Sequence, residues 1–331
     1  MQRTNASPTF TDAAVVDLGG PRTGRFLQVC QELVPWSQLV ETVLPLFPAH
    51  EKGGRPFWPA LVMIKCMLLQ KWFGLSDPQL EEQLRDRLSF RRFVGLSLDD
   101  ATPDETTMVH FRKRLREHGM GSALFDRVVA SLREKGLILK EGTIVDAAII
   151  DAPMGEKLKD SQGLERHTHD PAATYTKNHG TLRHGYKTHI ATDTRGTITD
   201  FVFDTAKTHD SQYIDQLTEN EPSAVFADSA YSSKERRDRL KARDVADRIV
   251  YKRVRGQEEL TQEQKRHNQS CSKVRAFVEH PRAWMVKMGY TFARYRGLAR
   301  NALDFALMAT AYNLKHSFHL QGRRLTPARA Q

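Results

Sequence analysis

Three acidic residues stand out because of where they lie in the sequence pattern. Asp146 interrupts an apolar, β-branched run at residues 143–150, and Asp228 lies in a second apolar run at residues 223–231. Glu279 lies in a long segment with helical character. A lone carboxylate in an apolar strand is costly to bury as a charge without a partner or a metal ion. Three carboxylates brought together, with room for water and phosphate, suit Mg²⁺ or Mn²⁺.

Each of these residues also has a simpler interpretation. Asp146 could pair with an arginine or lysine, and Asp228 could cap the helix that follows it. Glu279 lies four residues after Arg275, which is the spacing of an ordinary helical ion pair. Three other carboxylates compete for the same role, with Asp151 ranked second to Asp146: Asp151, Asp193 and Asp210. The histidines at 167 and 169 could bind a transition metal, but their spacing is a weak signal, so we interpret this segment as a solvated loop instead of a zinc site.

Two metal ions held about 4 Å apart would support one particular reaction. They would activate a water molecule or a 3′-hydroxyl group and stabilise the leaving oxygen of an in-line phosphoryl displacement. This chemistry requires the three acidic residues, which are distant in sequence, to meet in one pocket.

The elements that would position these residues follow a definite order. Strands are predicted at 143–150, 184–193, 198–205, 223–231 and 248–251, with helices near 210–218, 233–243, 261–288 and 301–316, and a long loop at 151–183. This order predicts a ribonuclease H-like, five-stranded mixed sheet with three antiparallel and two parallel strands, flanked by helices. The first and fourth strands are neighbours in that arrangement, so their carboxylates would share one pocket.

The preceding part of the chain has helical periodicity. Residues 59–73 form its most apolar stretch, and helix starts are predicted at Ser76 and Thr102 because a hydroxyl N-cap precedes an acidic first turn. The helix at 104–116 is either a DNA-reading element or part of a plain bundle. We therefore expect an α+β or mixed α/β protein with four parts: a flexible leader (1–25), an N-terminal helical domain (26–140), a catalytic domain (141–318) and a basic tail (319–331).

The composition limits the function classes. Of 331 residues, 40% are hydrophobic and 27% are charged, and the net charge is +10. This positive charge favours a polyanionic partner. Residues 233–255 contain ten Lys or Arg against four acids, and residues 112–116 form a second basic cluster. Solvated helix faces are the alternative for each of these clusters.

Membrane insertion and secretion are not expected. No apolar run approaches the roughly 20 residues that span a bilayer, and the N-terminus lacks the apolar region of a signal peptide. The three cysteines form neither a disulfide framework nor a CxxC metal site, so a reducing cytoplasm is expected.

From about residue 33 to 316, the chain resembles bacterial transposases of the insertion-sequence-5 family, which is related to the insertion-sequence-4 group. Four short stretches in the same order carry most of the resemblance, and the glycine, lysine and histidine of a fifth also fit: 142–147 (GTIVDA), 225–231 (VFADSAY), 272–281 (SKVRAFVEHP), 294–301 (RYRGLARN) and 185–189 (GYKTH).

The resemblance implies that Asp146, Asp228 and Glu279 form a DDE triad holding two Mg²⁺ ions, which Mn²⁺ can replace. It implies a DNA transposase that binds the terminal inverted repeats of its element, hydrolyses a phosphodiester and transfers the strand into target DNA. A homodimer in a synaptic complex, in the bacterial cytoplasm at the nucleoid, would follow. A nuclease of the same fold that lacks strand transfer, or a non-catalytic DNA-binding regulator, is the alternative.

The related group carries a helix signature, Tyr-x2-Arg-x3-Glu-x6-Lys, that this chain matches in part. Arg275 and Glu279 match, whereas Ser272 and Val286 occupy the tyrosine and lysine positions, and Lys287 follows one residue late. Pro281 falls inside the predicted helix, where it removes a backbone hydrogen bond and favours a kink. The candidate DNA contacts are Lys187, Arg275, Lys287, Arg294, Arg296, Arg112 and Arg116.

Overall fold

A computed structural model describes residues 22–47, 56–159, 161–163, 165–167, 169–178, 180–220, 223–253 and 257–325. The chain divides into two compact units. One runs to Ser131 and includes the residues from Ala306 onward, and the other comprises Leu132–Phe305. Most of the predicted leader and the end of the predicted tail lie outside the described residues. No described helix is long and apolar enough to cross a membrane.

The first unit contains seven α-helices near the start of the described residues and also the later part of the last helix of the chain. They are α1 (Arg22–Leu33), α2 (Trp36–Val43), α3 (Ala60–Phe73), α4 (Asp77–Asp86), α5 (Leu88–Val94), α6 (Glu105–Glu117) and α7 (Met120–Glu134), whose last residues pass into the second unit. Nearly every residue of α3 is buried, as its apolar sequence predicts. Within this unit, the Trp72 indole donates a hydrogen bond of 2.8 Å to the carbonyl oxygen of Ala311.

Of the two predicted helix starts, one is confirmed and the other is wrong by two residues. Ser76 caps α4 with a full capping box, in which its side chain and that of Gln79 each accept a backbone N–H. The cap of α6 is Asp104 instead of Thr102, because the Asp104 carboxylate accepts a 2.7 Å hydrogen bond from the Thr107 N–H. A carboxylate at this position also interacts favourably with the helix dipole.

The second unit is built on the expected mixed sheet. Its strands are β1 (Thr143–Asp151), β2 (Lys157–Lys159), β3 (Glu165–His167), β4 (Thr174–Asn178), β5 (Thr181–Thr192), β6 (Ile198–Thr205), β7 (Ala224–Ala227) and β8 (Ala246–Ile249). β6, β5 and β1 are antiparallel neighbours, and β1, β7 and β8 are parallel neighbours. These five strands have the predicted arrangement of three antiparallel and two parallel strands, but β4 also pairs with β5, so the sheet has six strands where five were predicted.

The helices of this unit cover the sheet. They are α8 (Ile214–Leu217), α9 (Lys234–Ala242), α10 (Gln262–Arg275), α11 (Glu279–Lys287) and α12 (Leu298–Leu325), of which α12 continues into the first unit. One face of the sheet forms an apolar core that includes Val145, Val225, Ala227 and Leu240. On the opposite face Phe201 and Phe203 pack against Phe305.

Two element predictions were wrong. Residues 151–183 are not one long loop, because β2 pairs with β3 and β4 pairs with the first half of β5. These strands are polar, so apolar periodicity does not reveal them. The predicted helix 261–288 is interrupted, because a 3-10 turn at Ala276–Val278 separates α10 from α11.

Candidate active site

The pairing of β1 with β7 aligns the two aspartates. Thr143 lies opposite Val225 and Ile144 opposite Phe226 in parallel register. Continuing this register by two residues places Asp146 level with Asp228, on neighbouring strands about 4.8 Å apart. Side chains alternate along strands, so both carboxylates emerge on the face opposite the Val145 core. The sequence predicted this adjacency from strand order alone.

Glu279 reaches the same region because of the helix break. The 3-10 turn at Ala276–Val278 packs beside β1, and Glu279 is the first residue of α11. The turn precedes Pro281, which has no N–H to bond the Phe277 carbonyl as a continuous α-helix would require. The predicted effect of Pro281 near the site is therefore an interrupted helix with the acid at its junction.

The electrostatics of Asp146 show that these carboxylates interact. Burial and, to a smaller extent, the negative charge of Glu279 raise the pKa of Asp146 to about 6, against the opposing charges of Arg275 and Arg282. Asp146 is half-buried, whereas Asp228 and Glu279 are exposed. The half-buried carboxylate of Asp146 thus feels the charge of Glu279, while Asp228 and Glu279 themselves are accessible to solvent.

Arg275 is the cation closest to the aspartates. Its guanidinium lies 3.8 Å from the Asp228 carboxylate, and its Nε atom is buried without a hydrogen-bond partner. Arg282 lies at the same distance, 3.8 Å, from Glu279. Both ion pairs are longer than a hydrogen bond, so they leave carboxylate lone pairs available on the two acids.

The donor set fits a divalent cation. Carboxylate oxygens are the ligands that Mg²⁺ and Mn²⁺ prefer, and the pKa of Asp146 is raised first by burial and then by the charge of Glu279, both of which a bound cation would oppose. Among the described residues, however, no three acidic, histidine or cysteine side chains already stand at ligating distance. The three carboxylates are therefore not close enough together to form a coordination shell without side-chain movement.

Tyr231 is a neighbour of the site that the sequence did not single out. It is buried, its hydroxyl has no hydrogen-bond partner, and burial raises its pKa, as do the charges of Asp210, Asp146 and Asp228. Its position three residues after Asp228, in the turn that Asp228 caps, is the only signal for it in the sequence.

The rival carboxylates have structural partners. Asp151 receives two hydrogen bonds from the Arg183 guanidinium, one of 2.8 Å. Asp193 is buried and accepts backbone N–H groups from Leu139, Arg195 and Thr197. Asp210 lies 2.7 Å from the Lys187 ammonium group.

The candidate DNA contacts separate into two groups. Lys187 is buried and also donates to the Thr208 carbonyl, and Arg112 is buried and pairs with Asp77. Both side chains stabilise their own units. The other five candidates are at least partly accessible. Arg275 and Arg116 are half-buried, and three are exposed: Lys287, Arg294 and Arg296.

A mixed sheet with aspartates on two neighbouring strands is compatible with metal-assisted phosphoryl transfer, and family comparisons identify the class of protein. The family model described as "Transposase domain (DUF772)" matches residues 20–114, and that described as "Transposase DDE domain" matches residues 152–314. The chain belongs to the DDE transposases and is a DNA transposase. A DDE domain also implies dependence on a divalent metal ion.

The second match includes Asp228 and Glu279 and begins just after Asp146. Among solved structures, a pre-cleavage Mos1 transpososome is similar at 10% identity, covering 91% of this chain and 97% of that chain, with a TM-score of 0.20. A Mos1 transposase paired-end complex with left transposon end matches at 11% identity, 89% and 97% coverage and a TM-score of 0.19. At such TM-scores neither likeness carries an argument here.

Proposed function

We propose that Asp146, Asp228 and Glu279 are the metal-holding triad of this transposase. The observation that carries the proposal is the convergence of the three acids. The strand register aligns Asp146 with Asp228, and the charge of Glu279 acts on Asp146. Asp228 also caps the turn that follows it, as its simpler interpretation predicts, and its carboxylate accepts the Ser229 N–H. Neither Asp228 nor Glu279 has a hydrogen-bonded ion pair with the neighbouring arginine, so both keep carboxylate lone pairs available for a metal ion.

We propose Mg²⁺ as the natural ion, with Mn²⁺ as a substitute and two ions per site. When bound, the ions supply an activated oxygen nucleophile and stabilise the leaving oxygen of an in-line displacement. Asp146 holds its charge in a half-buried position, whereas Asp228 and Glu279 are accessible to solvent and DNA. Arg275, 3.8 Å from Asp228, is the residue that we propose contacts a phosphate of the strand being cut.

The reaction has two steps on DNA. The enzyme binds the terminal inverted repeats, hydrolyses a phosphodiester to expose a 3′-hydroxyl and joins that hydroxyl to target DNA. Two ends must be brought together for insertion, so we propose a homodimer in a synaptic complex. The motifs favour an insertion-sequence-5 type enzyme acting at the bacterial nucleoid, in the cytoplasm.

The DNA surface would use the accessible cations. Lys287 ends α11, while Arg294 and Arg296 follow it, and all three are exposed. Arg116, on α6, belongs to the basic cluster of the helical unit. We propose four parts of the chain, a leader (1–25), a helical domain (26–140), a catalytic domain (141–318) and a basic tail (319–331), of which the second and third overlap the two family matches.

The test is metal-dependent nicking of DNA that carries the terminal repeats flanking the gene itself. Asp228→Asn is expected to lower nicking by at least about 100-fold, since it removes several kcal/mol of metal-assisted stabilisation, and to leave DNA affinity nearly unchanged. Asp151→Asn is the matched control, because that carboxylate pairs with Arg183. Its nicking rate should stay near that of the wild type.

Two outcomes would overturn this proposal. Equal loss of nicking and of DNA binding in Asp228→Asn would indicate a folding role for the residue. Nicking without any joined product, in the presence of target DNA, would indicate a nuclease that lacks strand transfer.

A further inference from the structure

An aromatic cavity of about 340 Å³ lies within the helical unit. Its lining includes the rings of Phe47, Phe57, Trp58 and Phe111. The Phe47 ring lies 5.9 Å from Phe57 and 6.0 Å from Phe111, centroid to centroid. The volume is at the lower end of small-molecule sites, about 300–1,000 Å³, so it suits one planar ring system.

One wall of this aromatic cavity is a face of α6 that also carries polar groups. Thr107, His110 and Arg114 line the cavity along with Phe111, at helical spacings of three and four residues. Phe111 is buried, whereas His110 is exposed and Arg114 is half-buried, so the polar groups lie towards solvent. The Arg114 guanidinium carbon lies 4.1 Å from the centre of the Phe57 ring.

This lining has the chemistry that a heteroaromatic ligand requires. The aromatic side chains offer surfaces for stacking, and Arg114, His110 and Thr107 offer hydrogen bonds to ring nitrogen and oxygen atoms. A purely aliphatic ligand would leave the polar groups unused. The cation at the entrance favours a ligand with a negative charge attached to its ring.

The charge around the cavity points to DNA as the source of the ring. Arg114 supplies a cation to the cavity itself, whereas Lys113 and Arg116 lie on other faces of α6 and contact Glu117 at 3.9 and 3.7 Å. Net charge is +10, and the chain belongs to the DNA transposases. A nucleobase with its phosphate matches the aromatic interior and the guanidinium of Arg114.

We propose that the aromatic cavity binds a single unpaired nucleobase of the DNA substrate. The inference deepens the proposed function, and rests on it, because it assigns the helical unit a role in engaging an element end. Withdrawing a base is least costly at a distorted or unpaired position, so such positions would be recognised selectively. Stacking of one base on aromatic side chains strengthens binding by about 5- to 150-fold.

The test compares two DNA probes on the full-length protein. One is a duplex with a single extrahelical adenine, and the other is the same duplex with an abasic analogue at that position. The wild type is expected to bind the adenine probe at least about fivefold more tightly. In Phe57→Leu and Trp58→Leu this preference should disappear, while affinity for the abasic probe stays the same.

The paired design separates a binding role from a folding defect, because unfolding lowers affinity for both probes equally. Val109→Ala is the control on the same helix, since Val109 is 50% exposed and does not line the cavity. Its preference for the adenine probe should equal that of the wild type. Equal wild-type affinity for the two probes would overturn the proposal, as would an unchanged preference in both cavity variants.

Failure of this inference is distinguishable from failure of the proposed function. Nicking of terminal-repeat DNA is measured on the same preparations. Nicking without adenine preference overturns the cavity assignment alone, whereas adenine preference without metal-dependent nicking overturns the proposed catalytic role alone.

Discussion

Asp146 is the residue whose environment is hardest to explain without a metal ion. Its carboxyl is half-buried on a strand, and Glu279 adds negative charge to a position already disfavoured by desolvation. Carboxyl groups whose pKa is raised by burial and by a neighbouring negative charge cluster at functional sites. The residue is therefore expected to reduce stability without metal and to be required for activity.

Asp146→Asn is predicted to stabilise the metal-free protein. The folded-state pKa, about 6, exceeds the ordinary value of 3.8, so wild-type stability falls as the pH rises between these values. The variant should therefore gain about 1–2 kcal/mol at pH 8, and the gain should vanish towards pH 4. Thermal unfolding in EDTA across this pH range measures the difference.

The control for that prediction is Asp151→Asn, which removes an ion pair with Arg183 and should not stabilise the protein. Addition of Mn²⁺ should raise the unfolding temperature of the wild type more than that of Asp146→Asn, because ligand binding stabilises the folded state by mass action. A destabilised Asp146→Asn variant at pH 8 would contradict this account of the site.

At the scale of elements, the junction between α10 and α11 places the third acid. A 3-10 turn advances about 120° per residue against 100° for an α-helix, so three residues rotate the following helix by about 60°. Glu279 and Lys287 therefore do not share the face with Arg275 that a continuous helix predicts. The turn between β5 and β6 lies against this junction at Gly196.

Gly196→Ala is predicted to disturb the junction. A Cβ atom there would lie 2.7 Å from the Phe277 carbonyl oxygen, at a φ of +87°. We expect a loss of about 2–3 kcal/mol in the free energy of unfolding and slower nicking. Gly180→Ala is the matched control: its φ is +83°, its Cβ would meet no atom within 4 Å, and it also lies at a hairpin turn.

Because both glycines adopt the same backbone conformation, their difference isolates the steric push on Phe277. Gly180→Ala should cost only about 1 kcal/mol and leave nicking unchanged. Equal stability and equal activity in the two variants would show that the junction does not depend on this contact.

The sequence predicted those elements whose buried residues produce a recognisable apolar pattern along the chain. The apolar strands β1 and β7, the hairpin of β5 and β6, and the order of the sheet are confirmed, since each strand faces a core. The polar strands β2 to β4 were not predicted, because they are held by backbone pairing between strands and their sequences have no apolar periodicity. The roles of the three acids stay predictions, though the adjacency of Asp146 and Asp228 followed from strand order.

The helix break could be anticipated only in part. Pro281 indicated a disturbance, but not that a 3-10 turn would form before it. Tyr231 escaped because a buried tyrosine has no distinct sequence pattern, and its neighbourhood with the acids depends on tertiary folding. The buried, paired state of Lys187 depends likewise on Asp210, which lies in a different element.

At the scale of the whole molecule, positive charge is less available than the sequence indicates. Several arginines of the basic segment 233–255 bind groups of the protein itself. Arg236 pairs with Asp215, Arg237 with Asp247, and Arg243 donates to the Thr218 carbonyl. The exposed lysines of α9, Lys234 and Lys241, are better placed to contact phosphates.

The salt dependence of DNA binding should distinguish these two kinds of cation. Log affinity is expected to fall steeply with log salt, and Lys241→Gln should lower the slope by about 0.9 if its one phosphate contact is lost. Arg236→Gln should instead cost about 2–4 kcal/mol of folding stability, because Arg236 is buried and bonded to Asp215 and to Tyr231. A flat salt response of the wild type would contradict the role assigned to the net charge.

Anomalous X-ray scattering from a crystal soaked in Mn²⁺ tests the central claim most directly. We predict a manganese peak ligated by the carboxylates of Asp146 and Asp228, with Glu279 turned towards the same ion and Arg275 moved from its position beside Asp228. A saturated crystal whose only manganese peaks lie elsewhere, with the three acids unaltered, would contradict the assignment of these residues.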